Sequence, residues 1–468
     1  MKNSILILGA LFHVTLMLGQ SNTSTTNSVG EQNTTTVEQV GSANIITIAQ
    51  EGNANQATAL QGSEGDDTVI NATESLIEQV QTGNENIASV EQEQLNNEAY
   101  QTQIGDSNSS TITQNINATG EENSATQYQE GNLNTATLQQ RGNTNLASQT
   151  QIGDGNTANA RQVGNNNMST LRQEGNNNSS TSFQGSIAFS SDNGIIDQIQ
   201  IGNGNTVFAR QEEDNNQISQ SQSGDDNNAS VVQNVDFFGG NNTATQIQSG
   251  NRNTASTIQE GDPLFTGNNN SSSISQTGDD NTATSEQNSQ RSSATITQIG
   301  NLNTAADNQN GSDHISVVYQ EGEENAVTSS QNGDTHNSDI EQIGNVNTVE
   351  STQRNGDMNI MVIAQNGNDN TTTSLQQGSN NMGDVIQVGD GNTAITTQIG
   401  DQNIVFVSQL GDGNTSTMSQ SGSFNSLNIT QLGGANAATV TQIGMSHSST
   451  TLQNGIGNVA TVSQSDGQ

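Results

Sequence analysis

Residues 129–184 read QEGNLNTATLQQRGNTNLASQTQIGDGNTANARQVGNNNMSTLRQEGNNNSSTSFQ. Within them Gln129, Gln140, Gln151, Gln162, Gln173 and Gln184 recur every eleven residues. A glycine stands two places after each of the first five glutamines and an asparagine five places after it: Gly131 and Asn134, Gly142 and Asn145, Gly153 and Asn156, Gly164 and Asn167, Gly175 and Asn178. A short fixed period carried by the same three residue types marks a repeat architecture, so the period has to be read before any single element.

Outward from this stretch the unit fills nearly the whole chain. A longer run goes from Gln276 in steps of eleven to Gln353 and, after one extra residue, from Gln365 to Gln464. It includes Gln398, Gly400 and Asn403, then Gln409, Gly411 and Asn414, then Gln420, Gly422 and Asn425, and Gln431. Longer connections occur at residues 115–122, 185–194, 234–241 and 260–269, and the register blurs at 62–74. All fall between a glutamine and the next asparagine, which places them in loops. Phe189, Phe237, Phe238 and Phe265 lie in them, and a loop folded over the neighbouring surface is the expected role.

From asparagine to glutamine the residues alternate with period two, the pattern of a strand with one buried face. The inward sets read Asn44, Ile46, Ile48, Gln50; Asn134, Ala136, Leu138, Gln140; Asn270, Ser272, Ile274, Gln276; Asn403, Val405, Val407, Gln409; and Asn425, Leu427, Ile429, Gln431. Glycine supplies a positive-φ turn. Two strands and two turns close a coil of about 22 residues that can stack on itself. The expected fold is therefore all-β, a β-solenoid of two strands per coil, stacked like cross-β structure. About twenty coils at the ~4.8 Å strand spacing make a rod on the order of 90 Å. Identical amides one coil apart can bond to each other along the axis, which satisfies their burial and penalises a slipped register.

Composition agrees with folding by repetition. Of 468 residues only 28% are hydrophobic, one is Pro and none is Cys, and the formal net charge is −39. That apolar content cannot fill several conventional cores. Lys2 and the arginines at 141, 161, 172, 210, 252, 291 and 354 are the only basic residues besides histidine, so no stripe exists for nucleic acid. Absence of Cys excludes disulfides and thiolate metal sites. Lys2 and Asn3 precede an apolar run from Ile5 to Leu18, which reads as a signal peptide over residues 1–20. Residues 21–27 are then a short mature N-terminal segment, 28–464 the repeats and 465–468 a tail. No later segment is long and apolar enough for membrane insertion.

The pattern resembles the curlin repeat, S-x5-Q-x-G-x-x-N-x5-Q, of the secreted subunits that build bacterial curli amyloid fibres. The resemblance spans residues 28–464, with more repeats than the familiar subunits and a Ser/Thr/Asn-rich rather than Gly-rich start at Ser21 to Val29. It implies a fibre subunit on the surface of a Gram-negative bacterium, serving biofilm matrix and adhesion. It also implies partners: further copies of itself, a curlin nucleator subunit and the outer-membrane curli secretion channel. Independently, a stacked solenoid ends in open strand edges, and the repeats run from around Asn33 to Gln464 with little sign of a cap. Head-to-tail growth follows.

Competing readings are weaker. A calcium-stabilised solenoid needs a nine-residue period with a regular Asp. Outward Thr pairs such as Thr135 with Thr137 or Thr415 with Thr417 suggest an ice-binding face, but they are broken too often. A non-polymerising extracellular β-solenoid adhesin or a calcium-stabilised repeat protein remains the alternative. His314, His336 and His447 occupy the asparagine position, and the first two, one coil apart, invite a metal but lack a third ligand. No paired carboxylate or nucleophile with a base is present, so no catalytic residue, enzyme activity or cofactor is expected. Paired acids at the turns (Asp66 and Asp67, Asp225 and Asp226, Asp279 and Asp280, Glu323 and Glu324) are expected to align like charges and slow assembly.

Overall fold

A computed structural model describes residues 12–14, 21–64, 69–116, 118–186, 190–234, 239–260 and 268–466. Most of the expected signal peptide, together with Asp66, Asp67, Phe189, Phe237, Phe238 and Phe265, lies outside the described residues. The described residues contain no helix. The chain divides into two compact units, residues 1–226 and 227–468, and each is a parallel β-solenoid.

In the first unit one sheet stacks Thr23–Val29, Ile45–Glu51, Leu76–Thr82 and on to Gln217–Ser223, while the other stacks Thr34–Gln39, Gln56–Gln61 and on to Thr206–Gln211. All of these pairings are parallel, and successive strands of a sheet are mostly 22 residues apart, so like residues meet: Gln140 pairs with Gln162 and Ala136 with Ala158. Thr23–Val29 already stacks on Ile45–Glu51, and Asn22 Oδ1 accepts the Asn44 N–H. The first coil thus starts ahead of residue 28. Phe12–Val14 runs parallel to Thr35–Val37.

The second unit repeats the plan, with one sheet running from Thr243–Ser249 to Ser448–Asn454 and the other from Asn228–Gln233 to Val459–Ser465. The extra residue before Gln365 is absorbed as a bulge, where Gly333 pairs with Gly356 rather than Asn355.

Alternation places the core. Asn44, Ile46, Ile48 and Gln50 are buried, as are Asn403, Val405, Val407 and Gln409. The apolar core of the first unit centres on Ile46, Ile77, Ile112, Leu138 and Leu171, and that of the second on Ile274, Ile296, Ile340, Val385 and Leu427. It is thin because each strand contributes at most two apolar or small inward residues between its amides, and in some strands a buried glutamine such as Gln101, Gln127 or Gln198 takes one of these places.

The longer connections leave from one corner only. In the first unit those at residues 62–74, 115–122 and 185–194 all follow strands of the same sheet, Gln56–Gln61, Ser109–Gln114 and Ser179–Gln184. In the second unit the two at 234–241 and 260–269 likewise follow Asn228–Gln233 and Thr254–Glu260, which pair in one sheet. Insertions therefore never disturb the opposite corner. After the insertion at 185–194 the turn is rebuilt with substitutes: Ser191 O takes the Asn167 Nδ2–H that a glycine carbonyl takes elsewhere, and Gly194 N–H bonds Asn167 Oδ1 in the asparagine slot.

Candidate functional site: the coil-to-coil face

The surface by which one coil meets the next is built from three recurring side chains. Gln140 Nε2 donates to Gln162 Oε1 at 2.9 Å, and Gln162 Nε2 to Gln184 Oε1 at 2.9 Å. Gln151 donates likewise to Gln173. In the second unit Gln398 donates to Gln420 at 3.2 Å, Gln409 to Gln431 at 2.8 Å and Gln431 to Gln453 at 2.8 Å. Each of these amides also reaches across the core. Gln140 Nε2 donates to Ser124 O at 3.0 Å and Gln409 Nε2 to Thr393 O at 3.0 Å, which ties the glutamine of one sheet to the backbone of the other. All are fully buried, where an unpaired amide would be costly.

Asparagine runs the other way. Asn145 donates through its backbone N–H and Nδ2 to Asn123 Oδ1, at 3.0 and 2.9 Å, and through Nδ2 to Gly164 O at 2.9 Å. Asn156, Asn167, Asn403, Asn414 and Asn425 likewise donate their backbone N–H backwards, to the Oδ1 of Asn134, Asn145, Asn381, Asn392 and Asn403. Glutamine Nε2 thus donates toward the later coil and the asparagine backbone N–H toward the earlier one, while asparagine Nδ2 also reaches the later turn, as from Asn145 to Gly164 O and from Asn156 to Gly175 O. At Gln211 the glutamine ladder is interrupted, both amide atoms being buried without a partner among the described residues.

Glycine makes the turn possible. Gly142, Gly153, Gly164, Gly400, Gly411 and Gly422 all have φ between 106° and 125°. A Cβ on Gly153 would lie 2.1 Å from Gly175 O, and one on Gly411 2.2 Å from Gly433 O. No side chain fits there.

The residue after the glycine adds a third ladder. Asn84 N–H donates to Asp106 Oδ1, Asp106 N–H to Asn132 Oδ1, Asn132 N–H to Asp154 Oδ1 and Asp154 N–H to Asn176 Oδ1. Asp279 sits likewise between Asn251 and Asn301. Alternation with asparagine spares these carboxylates a charged neighbour, contrary to the expectation of aligned like charges, which is met at Asp192 over Asp214 and Asp390 over Asp412. Further out, Arg252 pairs with Asp280 at 2.7 Å and Arg291 with Asp313 at 2.5 Å.

His314 and His336 sit in the asparagine ladder, buried, with rings 5.2 Å apart and 18° from parallel. His314 Nδ1 accepts the His336 N–H and His336 Nδ1 the Asn359 N–H, both at 3.3 Å, while each Nε2 faces a carbonyl, of Asn310 and Asn332. Both ring nitrogens of each are occupied by the backbone, and among the described residues no group of three or more His, Asp or Glu is placed to hold a metal.

One buried residue escaped sequence reasoning. Asp307 lies in the core column Ser285–Asp307–Ser329, bonded by Ser316 Oγ at 2.6 Å, with Oδ2 unpaired. Burial pushes its carboxyl up to about 6. Counting by twos from Asn303 to Gln309 places it inward, so the signal was there.

Compared with known families, the chain matches the curlin associated repeat at residues 131–164, 389–422 and 425–451. Stretches that match that repeat thus lie in both units. A search of curated proteins gives no match.

Proposed function

We propose that this chain is a secreted structural subunit of extracellular curli-like fibres, which adds further copies of itself end to end by repeating its own coil junction. The observation that carries the reading is the pair of opposed ladders. One side of a coil offers glutamine N–H and asparagine oxygen, and the other offers glutamine oxygen and the asparagine backbone N–H. In the like-over-like parallel register of the stack the two sides complement each other and neither complements itself. Docking is therefore head to tail, a heterologous contact that does not close and so makes a fibre. Gln39 Oε1, buried and without a donor among the described residues, is an acceptor of the kind a docking coil would fill.

Export is part of the same reading, supported by the apolar run after Lys2. A nucleator subunit, an outer-membrane channel, biofilm matrix and adhesion follow from likeness to the curlin repeat. The test is a thioflavin-T time course on the purified chain without residues 1–20, released from denaturant with and without preformed seeds. Seeds should abolish the lag. A β-rich monomer that never seeds would instead favour a non-polymerising solenoid adhesin.

A further inference from the structure

The first unit gathers three arginines on one outer face of a sheet. Arg161 aligns with Phe183, and Phe183 with Arg210, in one outward column, while Phe208 stands beside Arg210 two residues back on its strand. Arg141 ends the preceding strand, Thr135–Arg141. The Arg161 guanidinium lies 4.8 Å over the Phe183 ring, and Phe183 meets Phe208 edge to face at 6.1 Å. Arg161 Nη2 donates to Gly185 O at 3.3 Å, and Arg210 Nη2 to Glu212 at 2.8 Å. All three arginines and both phenylalanines are half-buried on the sheet's outer face.

Among the described residues Arg141 and Arg161 make no ion pair, and neither does Arg354, whereas Arg172, Arg210, Arg252 and Arg291 each have one. The Nε atoms of Arg141 and Arg161 are buried without an acceptor. Burial, and then the Arg210 and Arg141 guanidiniums, pull the Arg161 group below its ordinary value, with Glu212 opposing, so these cations repel one another. In a chain of net charge −39, the register brings these three arginines to one face, with Glu212 the carboxylate paired to Arg210. The insertions at 115–122 and 185–194 leave from the corner beside it, and repeat proteins often bind ligands on the face that bears their insertions.

The geometry points to a binding site for a carboxylate-bearing polysaccharide, laid along the stack over Arg141, Arg161, Phe183, Phe208 and Arg210. Arg161 and Arg210 are two coil steps apart, roughly 10 Å at the strand spacing, with an aromatic ring between. A uronate polymer matches this alternation, because it carries one carboxylate per sugar and apolar C–H faces between charges. Guanidinium is suited to carboxylate by its paired donors. Duplex DNA does not match. It brings one charge per ~1.7 Å, and the same corner holds Glu212, Glu213 and Asp214 in sequence after Arg210, which a dense polyanion would meet. This site is independent of end-to-end docking.

The test is titration of the freshly refolded chain, without residues 1–20, with polygalacturonate, neutral dextran and duplex DNA, followed by fluorescence anisotropy of the labelled polymer. Polygalacturonate should bind, weaken with added salt, and lose at least about tenfold in affinity with Arg141→Gln plus Arg161→Gln. Phe183→Ser, matching the hydroxyl-rich neighbouring rows, should weaken it severalfold, and Arg354→Gln in the second unit should leave it unchanged. Circular dichroism establishes that each variant is folded. Equal binding by the double variant, equal loss with Arg354→Gln, or DNA bound as well as polygalacturonate would overturn the proposal.

Discussion

At the scale of single residues, two substitutions within the repeat set opposite pH dependences in neighbouring coils. Asp307 is 2% exposed and its carboxyl is raised from 3.8 to about 6. The folded state therefore holds that proton more tightly than the unfolded chain, and the stability this gives below pH 3.8 is lost as pH rises through about 6. At pH 7 an ionised carboxylate remains in the core. Asp307→Ser, which restores the hydroxyl column of Ser285 and Ser329, should stabilise the protein by about 1–3 kcal/mol at pH 7 and by little at pH 4, as read by denaturant unfolding at the two pH values. The histidines act in reverse. Burial lowers both His314 and His336 from 6.5, so their stability is present above that value and is lost as pH falls below it. A proton on Nδ1 would face the N–H of the next coil. Asp313, Asp334 and Asp357 lie near enough to favour that charge, Arg291 is tied to Asp313, and the carbonyls of Asn310 and Asn332 already hold the Nε2 sides. Hydrogen-exchange protection over residues 292–359, taken relative to the intrinsic rate at each pH, should fall on going from pH 7.5 to 5, and His314→Asn with His336→Asn should remove that change.

At the scale of elements, the turn is the least forgiving part. Gly411→Ala must place a Cβ 2.2 Å from Gly433 O at φ 110° and should cost about 2–4 kcal/mol or more. Gly391, at φ 67° with nothing within 4 Å, occupies a slot where Asp369 and Asn380 are tolerated. Gly391→Ala should cost only about 1–2 kcal/mol. A protease-susceptibility series over the two variants separates them. Strand, turn and inward face were legible in the sequence because one eleven-residue period fixes all three at once. The common corner of the insertions was not, since alternate turns look alike in sequence and only closure of the coil assigns them to different corners. For the same reason the arginines at 141, 161 and 210 read as scattered until pairing in register brought them to one face.

At the scale of the whole molecule, charge opposes association while the repeated junction favours it. Net charge −39 gives every copy a reason to repel the next at neutral pH, even though most turn carboxylates alternate with asparagine within a stack. Fibre growth should be faster near pH 4.1 than at pH 7, and the double histidine variant should gain further at the acid end because its coils stay closed there. The likeness to the curlin repeat rested on residues whose spacing alone could be read, and the opposed direction of their ladders, which gives docking its polarity, emerged only from the hydrogen bonds.

Under the proposed function, copies join by the junction that joins coils. Fibre diffraction from aligned assemblies of the purified chain is the decisive measurement. A sharp meridional reflection at ~4.8 Å with an equatorial one at ~10 Å is expected, the coil step continuing through every subunit contact. Assemblies lacking the meridional reflection, or a chain that stays monomeric under seeding, would contradict it.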